Sequence, residues 1–133
     1  MMEQNPLPGY GKIRGSIVSI SSLAGLNASA GMSTYSSSKF GVIGLAKTDA
    51  QDYGPYGIRV NVISPGMTDT DLFRKTTPSE AVPMLEAITP LRRLGTPRDI
   101  GLLSAWLSSA KASFLQGVVV PCDGGLGLQR GVI

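Results

Sequence analysis

The sequence contains no histidine. That excludes a Ser-His-Asp triad, an imidazole general base and most zinc sites. It contains a single cysteine, Cys122, so no internal disulfide can form, which fits a reducing compartment. Charge is sparse: charged residues are 16% of the chain, the net charge is +3, and Lys and Arg are scattered. No basic stripe for nucleic acid is visible. No apolar run reaches membrane-spanning length. The opening MMEQNPLPGYGK has an acid and two prolines but no apolar stretch, unlike a secretory signal, so the cytoplasm is the expected location. What is present is an ordinary globular composition, 42% hydrophobic over 133 residues, enough for one modest core.

Strand and helix signals alternate along the chain. MMEQ reads as the last turn of a helix, and NPLPGYG as a loop. GSIVSISS (15–22) is a short β-branched run that suits a strand buried on both faces of a parallel sheet. LAGLNASAGMS follows as a small-residue loop. From Thr34 to Tyr53 the pattern is helical, with Phe40, Ile43, Leu45, Ala46 and Ala50 as an apolar stripe. Gly41 and Gly44 weaken a helix, so close packing against another element is expected there. Gly54-Pro55 reads as the helix stop. IRVNVI (58–63) alternates apolar and polar residues as a second strand, and Ser64-Pro65-Gly66 ends it. Residues 67–96 form a long polar excursion with a short helix near Ser79–Ile88; such segments are usually lids or binding loops. Thr96-Pro97 opens another helix, with Ile100, Leu103, Ala105, Trp106 and Leu107 as its buried face. Val118–Val120 is the third strand. Trp106 and the methionines read as core, and Cys122 as a small buried hydrophobe. The alternation implies a parallel sheet with flanking helices.

Ligands on such sheets bind beyond the carboxyl ends of the strands. Ser22, Pro65, Gly66, Thr68 and Thr70 all follow strand ends and converge on that rim. Tyr35 and Lys39 stand four residues apart on a helix and so share a face; Ser22 precedes the tyrosine by thirteen. An ammonium beside a phenol favours the phenolate, and a serine can hold a substrate oxygen against the phenol. The three groups suit protonating an oxygen as its carbon gains a hydride, or the reverse. A structural alternative stands beside each. Ser21 and Ser22 can be strand-end turn residues, Tyr35 and Lys39 an amphipathic pair, and Thr68 and Thr70 turn formers.

The set GSIVSISS, YSSSK, NVISPGMTDTDL and the late DGG resembles the short-chain dehydrogenase/reductase family, over Gly15 to Gly125. The Tyr-x-x-x-Lys spacing alone is weak; with Ser22 and the following PGxxxT it is specific. The resemblance implies catalytic Ser22, Tyr35 and Lys39. Tyr35 would be the general acid/base, Lys39 would activate it and hold the nicotinamide ribose, and Ser22 rather than Ser21 would orient the substrate oxygen. It implies that Pro65, Gly66, Thr68 and Thr70 flank the nicotinamide of NAD or NADP. It also implies Asp71 to Arg93 as the substrate loop, a structural role for Asn61, no metal, a carbonyl or alcohol substrate, and a dimer or tetramer.

That family also carries a glycine-rich turn holding the pyrophosphate, a residue choosing between the two cofactors, and an asparagine that completes the proton relay. None has a counterpart here. Gly9-Tyr10-Gly11 and Gly124-Gly125-Leu126-Gly127 are not followed by a helix. The expectation is therefore an α/β fold, the C-terminal half of a Rossmann-like doubly wound parallel sheet, with residues 1–133 as a single partial domain. A first strand with an uncovered edge follows from it. So do weak cofactor binding by these residues alone and little turnover. Two other readings stand against catalysis by hydride transfer. One is an inactive fragment acting only by association with full-length relatives. The other is a serine hydrolase built on Ser22 and Lys39, disfavoured because no G-x-S-x-G elbow surrounds the serine.

Overall fold

A computed structural model describes residues 1–28 and 30–131; Ser29, within the small-residue loop, lies outside the described residues. Three strands pair in parallel in the order β1 (Gly15–Ile20), β2 (Ile58–Pro65), β3 (Val119–Cys122). Gly15 faces Ile58 and Ile20 faces Ile63; across the other side of β2, Val62 faces Val119 and Pro65 faces Cys122. Helix α1 (Ser33–Tyr53) connects β1 to β2. Helices α2 (Asp71–Thr76), α3 (Val82–Ile88) and α4 (Pro97–Ser108) lie between β2 and β3. This is the expected parallel α/β arrangement.

The centre of the molecule is β2, buried from Ile58 to Ser64. Successive strand residues face opposite sides. Ile58, Val60 and Val62 turn towards Ile43, Ala46 and Ala50 of α1. Ile63 turns the other way, towards Leu107 of α4 and Ala112. Both faces of β2 are thus covered, which is why its polar positions are inside as well. The apolar-polar alternation of IRVNVI does not mark a solvent face: Arg59 is 5% exposed and Asn61 is fully buried.

Each buried polar group needs partners. Asn61 donates from Nδ2 to Leu115 O (3.0 Å) and accepts at Oδ1 from Val118 N (3.1 Å), the structural role expected of it. Arg59 donates from Nη2 to Leu107 O (2.8 Å) and Ser109 O (3.0 Å) at the carboxyl end of α4, where the helix dipole favours a cation. Its Nε and Nη1 have no hydrogen-bond partner among the described residues. Gln116, which carried no signal in the sequence, stands in for a strand: it accepts from Val60 N (2.8 Å) and donates to Ile58 O (3.1 Å) and Ala50 O (2.6 Å). It satisfies the start of β2 where β3 has not yet begun.

Several expectations are corrected. MMEQ forms a turn rather than helix, and α2 was not expected. The buried face of α1 is narrower than its apolar stripe: Phe40 is 45% and Leu45 is 64% exposed. A Cβ on Gly41 or Gly44 would meet nothing within 4 Å, so no close packing explains them here. Gly54 is helical, and the left-handed glycine is Gly57 (φ 74). A side chain at Gly57 would also run into the carbonyl of Lys12. On α4, Ala105 and Trp106 face solvent, because Ile100, Leu103 and Leu107 form the face that packs on the core. Met1, Met2, Met32 and Met84 are exposed rather than core. Cys122 is half-buried at the end of β3, and burial pushes its thiol pKa up.

Candidate active site

The carboxyl ends of β1 and β2 open on one cleft of about 890 Å³. Ser22, Tyr35, Lys39, Pro65, Gly66, Thr68 and Thr70 all line it, so every residue singled out for this rim meets there. Ser22 is extended (φ −162, ψ 160), and its Oγ accepts from Ala24 N (3.2 Å) as it caps the short turn Leu23–Gly25. Among the described residues its hydroxyl proton has no acceptor, which leaves it for a bound oxygen. Its neighbour Ser21 is buried and donates from Oγ to Lys39 O at 2.8 Å.

Tyr35 and Lys39 share one face of α1, and the Lys39 Nζ lies 5.6 Å from the centroid of the Tyr35 ring. Tyr35 is 45% exposed, open to the cleft. Across from them, the backbone at Gly66 passes so close to Asp123 that a Cβ would lie 2.8 Å from its Cα. Asp123 in turn accepts from Gly125 N (2.9 Å) and Gly127 N (2.8 Å). The late DGG is therefore a folded support behind Pro65-Gly66, not a reacting group. Gly124 and Gly125 press against Thr89, Pro90 and Leu91, which removes them as a phosphate cradle.

Thr68 and Thr70 have structural work as well as a place on the wall. Thr68 bridges to Gly95, and its Oγ1 donates to Gly66 O (3.3 Å). Thr70 caps α2, its Oγ1 accepting from Phe73 N (3.2 Å). Both threonines are turn or cap formers that also line the cleft.

The remaining wall is mostly apolar, with Leu23, Met32, Met67, Leu72, Phe73, Ile100 and Leu126 beside the hydroxyls of Ser21 and Thr76. Among the described residues, Lys39 is the only charged side chain on it. Sequence reasoning missed Met32, Ile100 and Leu126; the last had a signal, an apolar residue directly after the glycine turn. A second cleft of the same volume lies on the other side of α2, bounded by Asp69, Arg74, Lys75, Glu80, Glu86 and Arg93. It holds none of Ser22, Tyr35 and Lys39. On its ionic rim Asp69 pairs with Arg74 at 2.7 Å, and that bond holds the Asp69 carboxyl below the usual carboxylate range.

The parallel sheet, the serine at the end of β1, the Tyr-x-x-x-Lys helix and the Pro-Gly turn after β2 form one combination. Residues 2–127 match the family described as enoyl-(acyl carrier protein) reductase. The chain belongs to the short-chain dehydrogenase/reductase family. Within this family it is 38% identical over 112 residues to the 3-oxoacyl-(acyl-carrier-protein) reductase of Chlamydia muridarum, covering 84% of this chain and 45% of that protein. Among solved structures, a 7 alpha-hydroxysteroid dehydrogenase complexed with NADH and 7-oxo glycochenodeoxycholic acid superposes with a TM-score of 0.79 at 36% identity, covering 83% of this chain and 43% of that one. ElxO with NADP bound superposes with a TM-score of 0.76 at 33% identity, covering 84% and 46%. The chain spans about half the length of the curated short-chain dehydrogenases and reductases it matches.

Proposed function

We propose that this chain carries the acid/base half of a nicotinamide-dependent oxidoreductase that interconverts a ketone and a secondary alcohol. The observation behind this reading is the meeting of Ser22, Tyr35 and Lys39 on one apolar cleft beside Pro65-Gly66. Ser22 donates its free proton to the substrate oxygen and holds it. Tyr35 gives a proton to that oxygen in reduction and takes it back in oxidation. Lys39 sets its ammonium 5.6 Å from the centroid of the Tyr35 ring, placed to hold the ribose of the cofactor.

The cleft fits the nicotinamide-ribose end of NAD or NADP. Pro65, Gly66, Thr68 and Thr70 line one side of it and Tyr35 and Lys39 the other. When bound, the nicotinamide donates or accepts the hydride. No described residue offers a glycine-rich turn to the pyrophosphate, so residues 1–133, read as a single partial domain, hold the cofactor weakly on their own. NAD and NADP remain equal candidates. A cytoplasmic location and a dimer or tetramer of the whole protein belong to the same reading.

Substitution Tyr35→Phe tests it. At cofactor concentrations high enough to offset weak binding, oxidation of NADH or NADPH by ketones, including a 3-oxoacyl thioester, is expected to fall by about 10²–10⁴-fold, the usual contribution of a positioned acid/base. An unchanged rate in the variant sinks the assignment.

A second reading is association without catalysis. Its support is the free edge of β1 together with exposed Phe40 and Leu45 on α1 and Leu102 and Trp106 on α4. Size-exclusion chromatography with a full-length relative separates the two readings. Co-elution without added activity favours association; turnover in the mixture above that of the relative alone favours complementation.

A further inference from the structure

We propose that Ser21, the residue beside the substrate-holding serine, is a positioning residue that sets where the Lys39 ammonium lies against Tyr35. The inference rests on the acid/base reading above. Successive residues of an extended segment point to opposite sides. Ser22 and Ser21 both border the cleft, but Ser21 sends its Oγ to α1, where it donates to Lys39 O at 2.8 Å. Among the described residues this is the only side-chain hydrogen bond between the exit of β1 and α1.

Two further contacts leave the bond no slack. Ser21 N donates to Ile63 O (2.8 Å), which anchors the serine to the buried β2. Gly25 closes over the pair: a Cβ there would lie 2.5 Å from Ser21 Oγ and 2.8 Å from the Lys39 carbonyl. The carbonyl that Ser21 holds belongs to the residue whose ammonium lies over the Tyr35 ring. The hydroxyl thus fixes the Lys39 backbone, from which the ammonium stem projects, and through the helix that of Tyr35, relative to Ser22 on the adjoining residue. Reaction rate is steep in such geometry: a shift of about 1 Å can cost about 10²-fold.

The test reads geometry, not turnover. The chain is dimethylated at its lysines with a ¹³C label, and the Lys39 signal is assigned by its loss in Lys39→Arg. An ammonium held over the Tyr35 ring is shifted upfield of Lys12, Lys47, Lys75 and Lys111. Ser21→Ala is expected to bring the Lys39 signal most of the way back to theirs, with the other four unmoved. Ser21→Thr, which keeps the hydroxyl, is expected to retain the shift. If Ser21→Ala does not fold, Ser21→Cys, slightly larger and a weaker donor, is expected to give an intermediate shift. A Lys39 signal that stays at its wild-type position in the folded Ala or Cys variant overturns the proposal, as does its loss in a folded Thr variant. The measurement needs no catalysis, so failure of the oxidoreductase reading would be seen separately, in the Tyr35→Phe assay.

Discussion

Asn61 shows what a single side chain carries in this fold. It is fully buried, and its two ends serve Leu115 O and Val118 N. Asn61→Ala leaves both backbone groups buried without a partner, so a loss of about 1–3 kcal/mol is expected in urea unfolding. Asp99 is the opposite case, a surface group under strong local influence. Hydrogen bonds from Arg93 and from the Thr96 backbone and hydroxyl hold its carboxyl well below the usual carboxylate range. A depressed folded-state pKa means the contribution is present above the unfolded value of about 4 and is lost as pH falls below it. Asp99→Asn is therefore expected to flatten the acid side of a stability-pH curve, starting near about pH 5. A curve of unchanged steepness would show that the pair with Arg93 is too solvated to matter.

Among the elements, α1 is the one whose composition and surroundings disagree. It is 21 residues long and carries glycines at 41 and 44, where an added Cβ meets open space. A glycine in a helix interior costs about 0.5–1 kcal/mol relative to alanine. In the isolated chain, Gly41→Ala and Gly44→Ala are each expected to raise stability by about that amount. If either lowers stability instead, and only at concentrations where the protein is oligomeric, the glycines belong to a helix face covered by another copy. Helix α4 has no such conflict. Thr96 and Asp99 form a complete capping box around Pro97, so its start is specified three times over within four residues.

At the scale of the whole molecule, only β2 has a strand on both sides, and β1 and β3 are edges. The strand β2 is flanked by partners, whereas β1 is an edge with Ile17 36% and Ile20 45% exposed. A long apolar edge invites pairing with another chain. Ile17→Lys is expected to lower concentration-dependent aggregation in light scattering without touching the cleft, which Ile17 does not line. Equal scattering by the two proteins would move the cause to the exposed faces of α1 and α4. The same edge bears on the association reading, since a strand that can pair with any chain can pair with a relative.

The three strands, the helices α1 and α4, and the polar members of the candidate site were legible in the sequence alone. These are local properties. Helical spacing puts Tyr35 and Lys39 on one face, and turn residues end β1 and β2 where Ser22 and Pro65-Gly66 stand. What lies inside was set by tertiary packing. Arg59 and Asn61 are buried because helices cover both faces of β2, while Phe40, Leu45 and Trp106 are exposed because no described residue packs over them. Packing also set which way Ser21 turns, and it brought Ile100 and Leu126, remote in sequence, to close the wall beside Tyr35. Periodicity follows from backbone geometry within a few residues. Burial follows from what stands opposite, and that depends on residues far along the chain.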